Sequence, residues 1–187
     1  MHRAGLRWIP LVVVVQARTT TADNVPVLAG TASGFSSIAN IENVTGGSGN
    51  DTLLGNDADN DLLGGANGGA DTLNGRGGAD NLAGGSGNDI LIGGAGNDTM
   101  NGGNNLDTFA FAAGFGADTI TGFDSNPVGG QDVLDISALG ITAATFAANV
   151  SIAQQGASVV VTIGGDTITL LGQSLANVTI ADFLLGP

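Results

Sequence analysis

GGSGNDTLL (46–54), GNDADNDLL (55–63), GGANGGADTLN (64–74), GRGGADNLA (75–83), GGSGNDILI (84–92), GGAGNDTMN (93–101) and GGNNLDTFA (102–110) follow one another without a break. The period is nine residues, with two extra in the third unit. The sixth position is occupied by Asp51, Asn60, Asp71, Asp80, Asp89, Asp98 and Asp107, and the eighth by Leu53, Leu62, Leu73, Leu82, Leu91, Met100 and Phe109. An acid, or in one unit its amide, and an apolar residue held in phase through seven units predict a solenoid, in which each unit buries its apolar position against its neighbours.

The unit has two physical halves. Its first six residues are glycine-rich, which suits a tight turn and close backbone approach. Its last three are long enough for a short strand whose eighth residue points inward. Turn, strand, turn, strand closes one circuit in two units, so acids two units apart stack. One column holds Asp51, Asp71, Asp89 and Asp107; the other holds Asn60, Asp80 and Asp98. Carboxylates at ~5 Å repel by roughly 3 kcal/mol per pair at an effective dielectric of ~20. Arg76 is the only basic residue between 46 and 110, so the counter-charge must come from outside. Two carboxylates and the carbonyls of two turns offer oxygen alone, which suits calcium rather than zinc or magnesium.

These units resemble the calcium-binding nonapeptides of RTX (repeats-in-toxin, haemolysin-type) proteins, and the chain is similar to the C-terminal module of serralysin-type secreted proteases. The resemblance implies an all-β parallel β-roll over 46–110. It also implies ions held by carbonyls of positions two and four plus the Asp of one turn, completed by positions one and three plus the Asp two units on. Carried onto this chain, the best-matched cage is Gly85, Gly87 and Asp89 with Gly102, Asn104 and Asp107. Arg76, Gly78 and Asp80 with Gly93, Ala95 and Asp98 follow, Arg76 departing from the family's glycine. A third would be Asn67, Gly69 and Asp71 with Gly84, Ser86 and Asp89. Two weaker cages span the insertion: Gly47, Gly49 and Asp51 with Ala66, Gly68 and Asp71, and Asn56, Ala58 and Asn60 with Gly75, Gly77 and Asp80. Asn60 removes a charge from the last.

Composition agrees with this reading. Of 187 residues, 17 are acidic, all but Glu42 being Asp, and the net charge is −13. Short carboxylates reaching an ion from a turn explain that bias. A charge so negative disfavours nucleic acid and anionic membranes as partners. Cysteine is absent, so bound ions must replace disulfides as the staple.

Working outward, residues 24–45 keep part of the apolar phase: nine before Leu53 stands Val44, and nine before that Phe35. They read as metal-free starting rungs, or else as an unrelated hairpin. Residues 1–23 open with MHRAGLRWIPLVVVVQAR (1–18). Its basic start and apolar run fit a signal peptide, but Pro10 and the missing small-x-small site favour an edge strand or a truncated start. It is too short to span a membrane. Downstream, 111–187 reads as a cap of antiparallel strands: DTITGF (118–123), DVLDIS (132–137), ASVVVTI (157–163), DTITLLG (166–172) and NVTIADFL (177–184), with a short helix within 141–150. Asp118 reads as a solvated turn acid, a last ion there being the alternative. The apolar tail TIADFLLGP resembles the family's uncleaved signal for type I secretion.

Zinc-protease, lipase and P-loop signatures are absent, and the only histidine is His2, so no enzyme is expected. The expected function is a secreted calcium-binding module that folds outside the cell and engages the type I secretion machinery. Two alternatives remain. One is the C-terminal part of a larger secreted enzyme or toxin with its catalytic domain upstream. The other is an adhesive or ice-binding face built on the outward column Thr52, Thr72, Ile90 and Thr108; its counterpart Asp61, Asn81 and Thr99 is not uniform.

Overall fold

The computed structural model describes residues 27–28, 38–39, 43–65, 68–126 and 131–187. The roll is built from β1 (Val27–Leu28), β2 (Ile38–Ala39), β3 (Asn43–Thr45), β4 (Thr52–Leu54), β5 (Asp61–Gly65), β6 (Thr72–Gly77), β7 (Asn81–Ser86), β8 (Ile90–Ala95), β9 (Thr99–Asn104) and β10 (Thr108–Ala110). It continues through β11 (Ala117–Ile120) and β12 (Val133–Asp135). Helix α1 (Phe146–Asn149) then leads to β13 (Val150–Gln155), β14 (Ser158–Ile163), β15 (Asp166–Leu171) and β16 (Phe183–Leu184).

Odd and even strands part into two sheets, β1-β3-β5-β7-β9-β11-β15-β14-β13 and β16-β12-β10-β8-β6-β4-β2. Every pair from β1 to β12 is parallel, as a roll with two units per circuit requires. The register puts eighth residues on one another: Val44 on Leu62, Leu82 and Met100 in one sheet, and Leu53 on Leu73, Leu91 and Phe109 in the other. All eight are at most 2% exposed. Fully burying a side chain of this size contributes about 1.5–3 kcal/mol, so the phase read along the chain is the core itself.

Beyond Phe109 the cap differs from expectation. Strands β11 and β12 are parallel continuations of the roll, not antiparallel cap strands. The cause is a retained Asp-x-apolar triplet: Asp118-Thr119-Ile120 lays Ile120 on Met100, and Asp132-Val133-Leu134 lays Leu134 on Phe109. Antiparallel pairing is confined to β13-β14-β15, and β15 itself joins β11 in parallel. Residues 177–184 form a 3-10 turn (Ile180–Asp182) ahead of β16 rather than one strand, because Thr179 and Asp182 make a reciprocal capping box. Upstream, Val44 stacks as expected, but the residue paired with Leu53 is Ile38. Phe35, with residues 1–26, lies outside the described residues.

Candidate metal centre

All seven turns begin with glycine, and the reason is space rather than dihedral freedom. A Cβ on Gly84 would overlap Asp89 Oδ2 and lie 2.7 Å from the Gly102 carbonyl oxygen of the next coil. The same clash with the unit's own sixth side chain awaits a Cβ on Gly46, Gly55, Gly64, Gly75, Gly93 and Gly102. Position two is different: from the third unit on the chain turns with positive φ there, at Gly65, Gly85, Gly94 and Gly103, and at Arg76 with 79°.

The sixth residues are drawn inside. Asp71, Asp80, Asp89, Asp98 and Asp107 are at most 2% exposed. One carboxylate oxygen, Oδ1, accepts the amide of the sixth residue one coil earlier. In one column Asp71 accepts from Asp51 (2.8 Å), Asp89 from Asp71 (2.8 Å) and Asp107 from Asp89 (2.9 Å). In the other, Asp80 accepts from Asn60 (2.7 Å) and Asp98 from Asp80 (2.8 Å). The second oxygen is orphaned: Oδ2 of Asp51, Asp80, Asp89, Asp98, Asp107 and Asp118 is buried with no partner. An unsatisfied buried polar atom costs about 1–3 kcal/mol, more when charged. Six of them rival the whole ~5–15 kcal/mol by which a domain is stable.

The protonation equilibria register the same stress. Lost hydration raises the carboxyls of Asp51, Asp71, Asp89 and Asp98. Burial takes Asp80 up to about 6 and Asp107 up to about 7; hydrogen bonds from the Asn60 and Asp89 amides offset it, while neighbouring acids, Asp98 for one and Asp132 for the other, add to it.

Backbone carbonyls converge on the same gaps. Those of Gly47, Gly65, Gly85 and Arg76, at position two, and of Gly49, Gly69, Ala58 and Gly78, at position four, face the coil that follows. Those of Gly64, Gly75, Gly84, Gly93 and Gly102, at position one, face the coil before. At position three, Gly68, Ser86, Ala95 and Asn104 also face back, accepting from Gly49, Gly69, Gly78 and Gly87 at 3.0–3.3 Å. Among the described residues no three His, Cys, Asp or Glu side chains converge, so any cage is one or two carboxylates plus carbonyls. That donor set fits calcium and leaves zinc without the nitrogen or sulfur it favours.

The residues expected around the Asp89–Asp107 and Asp80–Asp98 gaps are therefore brought together. Across the insertion the assignment shifts. Gly65 pairs with Gly85, and Gly47 donates to the Gly64 carbonyl at 3.1 Å, so Gly64 and Gly65 hold positions one and two in place of Ala66 and Asn67. Ala66 and Asn67 themselves lie outside the described residues. Asn60 stands apart: its Oδ1 accepts from Asn56 N at 2.8 Å and its Nδ2 donates to Asn56 Oδ1 at 3.4 Å. The amide satisfies itself within its own turn, and the gap to Gly75, Gly77 and Asp80 lacks an orphaned oxygen on that side. Sequence reading missed the fifth position, where Asn50, Asp59, Asn88 and Asn97 accept the amides of Ala70, Ala79, Leu106 and Ala117 one coil on. The recurrent Asn-Asp of the repeats was its signal. Asp118, expected to be solvated, is 1% exposed.

A two-sheet parallel roll with a ladder of half-satisfied aspartates at its turns defines a calcium-binding β-roll. The profile of the RTX calcium-binding nonapeptide repeat (4 copies) matches residues 39–67, 66–91 and 74–109, and the chain belongs to that family. Among solved structures it is similar to the AlgE6R2 subunit of the Azotobacter vinelandii mannuronan C5-epimerase, at 30% identity over 76% of this chain and 92% of that one (TM-score 0.46). The AlgE6R3 subunit of that epimerase is also 30% identical over 73% and 78% of the two chains (TM-score 0.45). Extracellular lipase LipA of Serratia marcescens is 20% identical over 84% of this chain and 41% of the lipase (TM-score 0.39). Among curated proteins none matches.

Proposed function

We propose that the chain is a secreted module that folds when extracellular calcium enters the gaps between its coils, and that it is exported through a type I secretion channel. The observation that carries this is the set of orphaned, buried Oδ2 atoms at Asp51, Asp80, Asp89, Asp98, Asp107 and Asp118. With little calcium, mutual repulsion and the chain entropy of glycine-rich turns oppose folding. With calcium, an ion that binds only the folded coil adds its binding free energy to stability. The ligands are Gly85, Gly87 and Asp89 with Gly102, Asn104 and Asp107, Arg76, Gly78 and Asp80 with Gly93, Ala95 and Asp98, and their equivalents nearer the N-terminus. Circular dichroism against calcium tests the reading. A β signal already complete in chelator and unchanged by calcium would refute it.

Within this reading the module serves as the non-catalytic C-terminal part of a larger secreted enzyme. Supporting that role, the AlgE6R2 subunit, 30% identical, is itself part of an epimerase. The genomic sequence upstream decides it: an in-frame catalytic domain supports the role, and a stop codon removes it.

A further inference from the structure

The repeat profile ends at residue 109, yet the acid ladder does not. Asp98 N donates to Asp118 Oδ1 at 2.9 Å, the same bond that joins each earlier pair. Gly96 bridges Gly116 in parallel, Gly96 N donates to the Phe115 carbonyl at 3.3 Å, and the Gly96 carbonyl lies beneath Gly116. The turn that carries Asp118, AAGFGAD (112–118), keeps two glycines of the Gly-Gly-x-Gly pattern, Gly114 and Gly116, and has Ala113 in place of the first. It reproduces the gap.

Two features mark this gap as a binding site. Asp98 Oδ2 and Asp118 Oδ2 are both buried and both without a partner, in residues that are each 1% exposed. The second feature is Asp166, which accepts from Gly114 N (3.0 Å) and Gly116 N (3.3 Å). It brings a third negative charge to this end of the column, and it comes from β15 of the antiparallel cap.

We infer that the gap between Asp98 and Asp118 holds a further divalent calcium-class cation, which joins the last coil of the repeats to the cap. The Gly96 carbonyl and the two carboxylates supply protein oxygens, and water supplies the rest. This rests on the calcium reading above, but it adds a site beyond the stretch that the repeat profile matches. Its consequence is that the cap senses calcium directly, where an end cap satisfied by protein alone would not.

Asp118→Asn is the informative variant. The fold already tolerates an amide at the equivalent place in this column, Asn60, so the variant is expected to fold. Native mass spectrometry in calcium should count one ion fewer than wild type. Hydrogen exchange of segment 113–121 should lose its calcium dependence while segment 84–91 keeps it. An unchanged ion count overturns the inference and leaves the calcium reading standing; calcium-independent exchange in both segments of the wild type overturns both. If the variant does not fold, the wild type decides. Equal protection of 113–121 in calcium and chelator, with 84–91 still calcium-dependent, overturns the junction site, and parallel loss of both in chelator supports it.

Discussion

A carboxylate such as that of Asp89 has two oxygens with separate duties. Its Oδ1 takes the Asp71 amide behind it, and its Oδ2 is buried and left bare. Among the described residues Asp89 stands between two stacked acids, Asp71 and Asp107, whereas Asp51 has one such neighbour, Asp71. Asp89→Ala should therefore raise the calcium midpoint of folding more than Asp51→Ala, as read by circular dichroism during a calcium titration. Glycines separate in the same way. Gly84→Ala places a methyl group where Asp89 Oδ2 already sits and should abolish calcium-dependent folding, whereas a Cβ on Gly47 meets nothing within 4 Å. Gly47→Ala should leave the midpoint unchanged, its stability effect staying within about 0.5 kcal/mol. Acid should partly replace the metal. A carboxyl raised from 3.8 to about 6 at Asp80, or to about 7 at Asp107 and Asp118, binds its proton more tightly when folded. In chelator, stability should thus grow as pH falls from about 7 toward 4, and fade as pH rises again through that window. In calcium the trend reverses, because the ion requires the ionised form. Melting curves at pH 5 and 8, with and without chelator, check both signs.

At the scale of the strand and turn, the nine-residue period made β4 to β10 legible, because one phase of apolar residues is also one face of a sheet. Calcium was legible for a related reason: six acids in phase with one arginine cannot balance themselves. What stayed hidden has a geometric cause. The third unit carries two extra residues, and counting back from Asp71 places them at the turn's start; the backbone instead keeps Gly64 and Gly65 in register. Strands β11 and β12 were hidden because spacing changes from 18 to 20 and 25 residues between stacked acids, while the eye follows glycine and not the Asp-x-apolar triplet. Position five was overlooked because Asn and Asp are ordinary turn residues. Their side chains bond the next coil without any ion. Asn97→Ala should accordingly cost about 0.5–1.5 kcal/mol in calcium and in chelator alike, unlike loss of a sixth-position acid. Leu91→Ala, which empties the seam between the sheets, should cost about 2–5 kcal/mol, measured by urea unfolding in saturating calcium.

For the molecule as a whole, the two ends are built from different materials. Six of the seven phenylalanines lie at or after residue 109, and Phe111–Phe115 and Phe146–Phe183 pack at 4.9 and 5.0 Å between ring centroids. The coils from 46 to 108 have aliphatic seams one residue wide. In chelator, amides of β13 to β15 should remain protected from exchange while those of β5 to β8 exchange freely; uniform loss across the chain would contradict this. Among the described residues each coil of the repeats bonds only to the coil before and the coil after, so the stack can be loaded from its N-terminal side. Tension applied there by tweezers would strip the outermost loop first, since no later contact bears load until the previous one has parted. With stacked positions 20 residues apart in the first coils and 18 in those that follow, and about 3.4 Å gained per residue, extension should advance in steps of about 60–70 Å. Each step height would vanish when calcium is withdrawn, and the cap would yield last, in a single larger event.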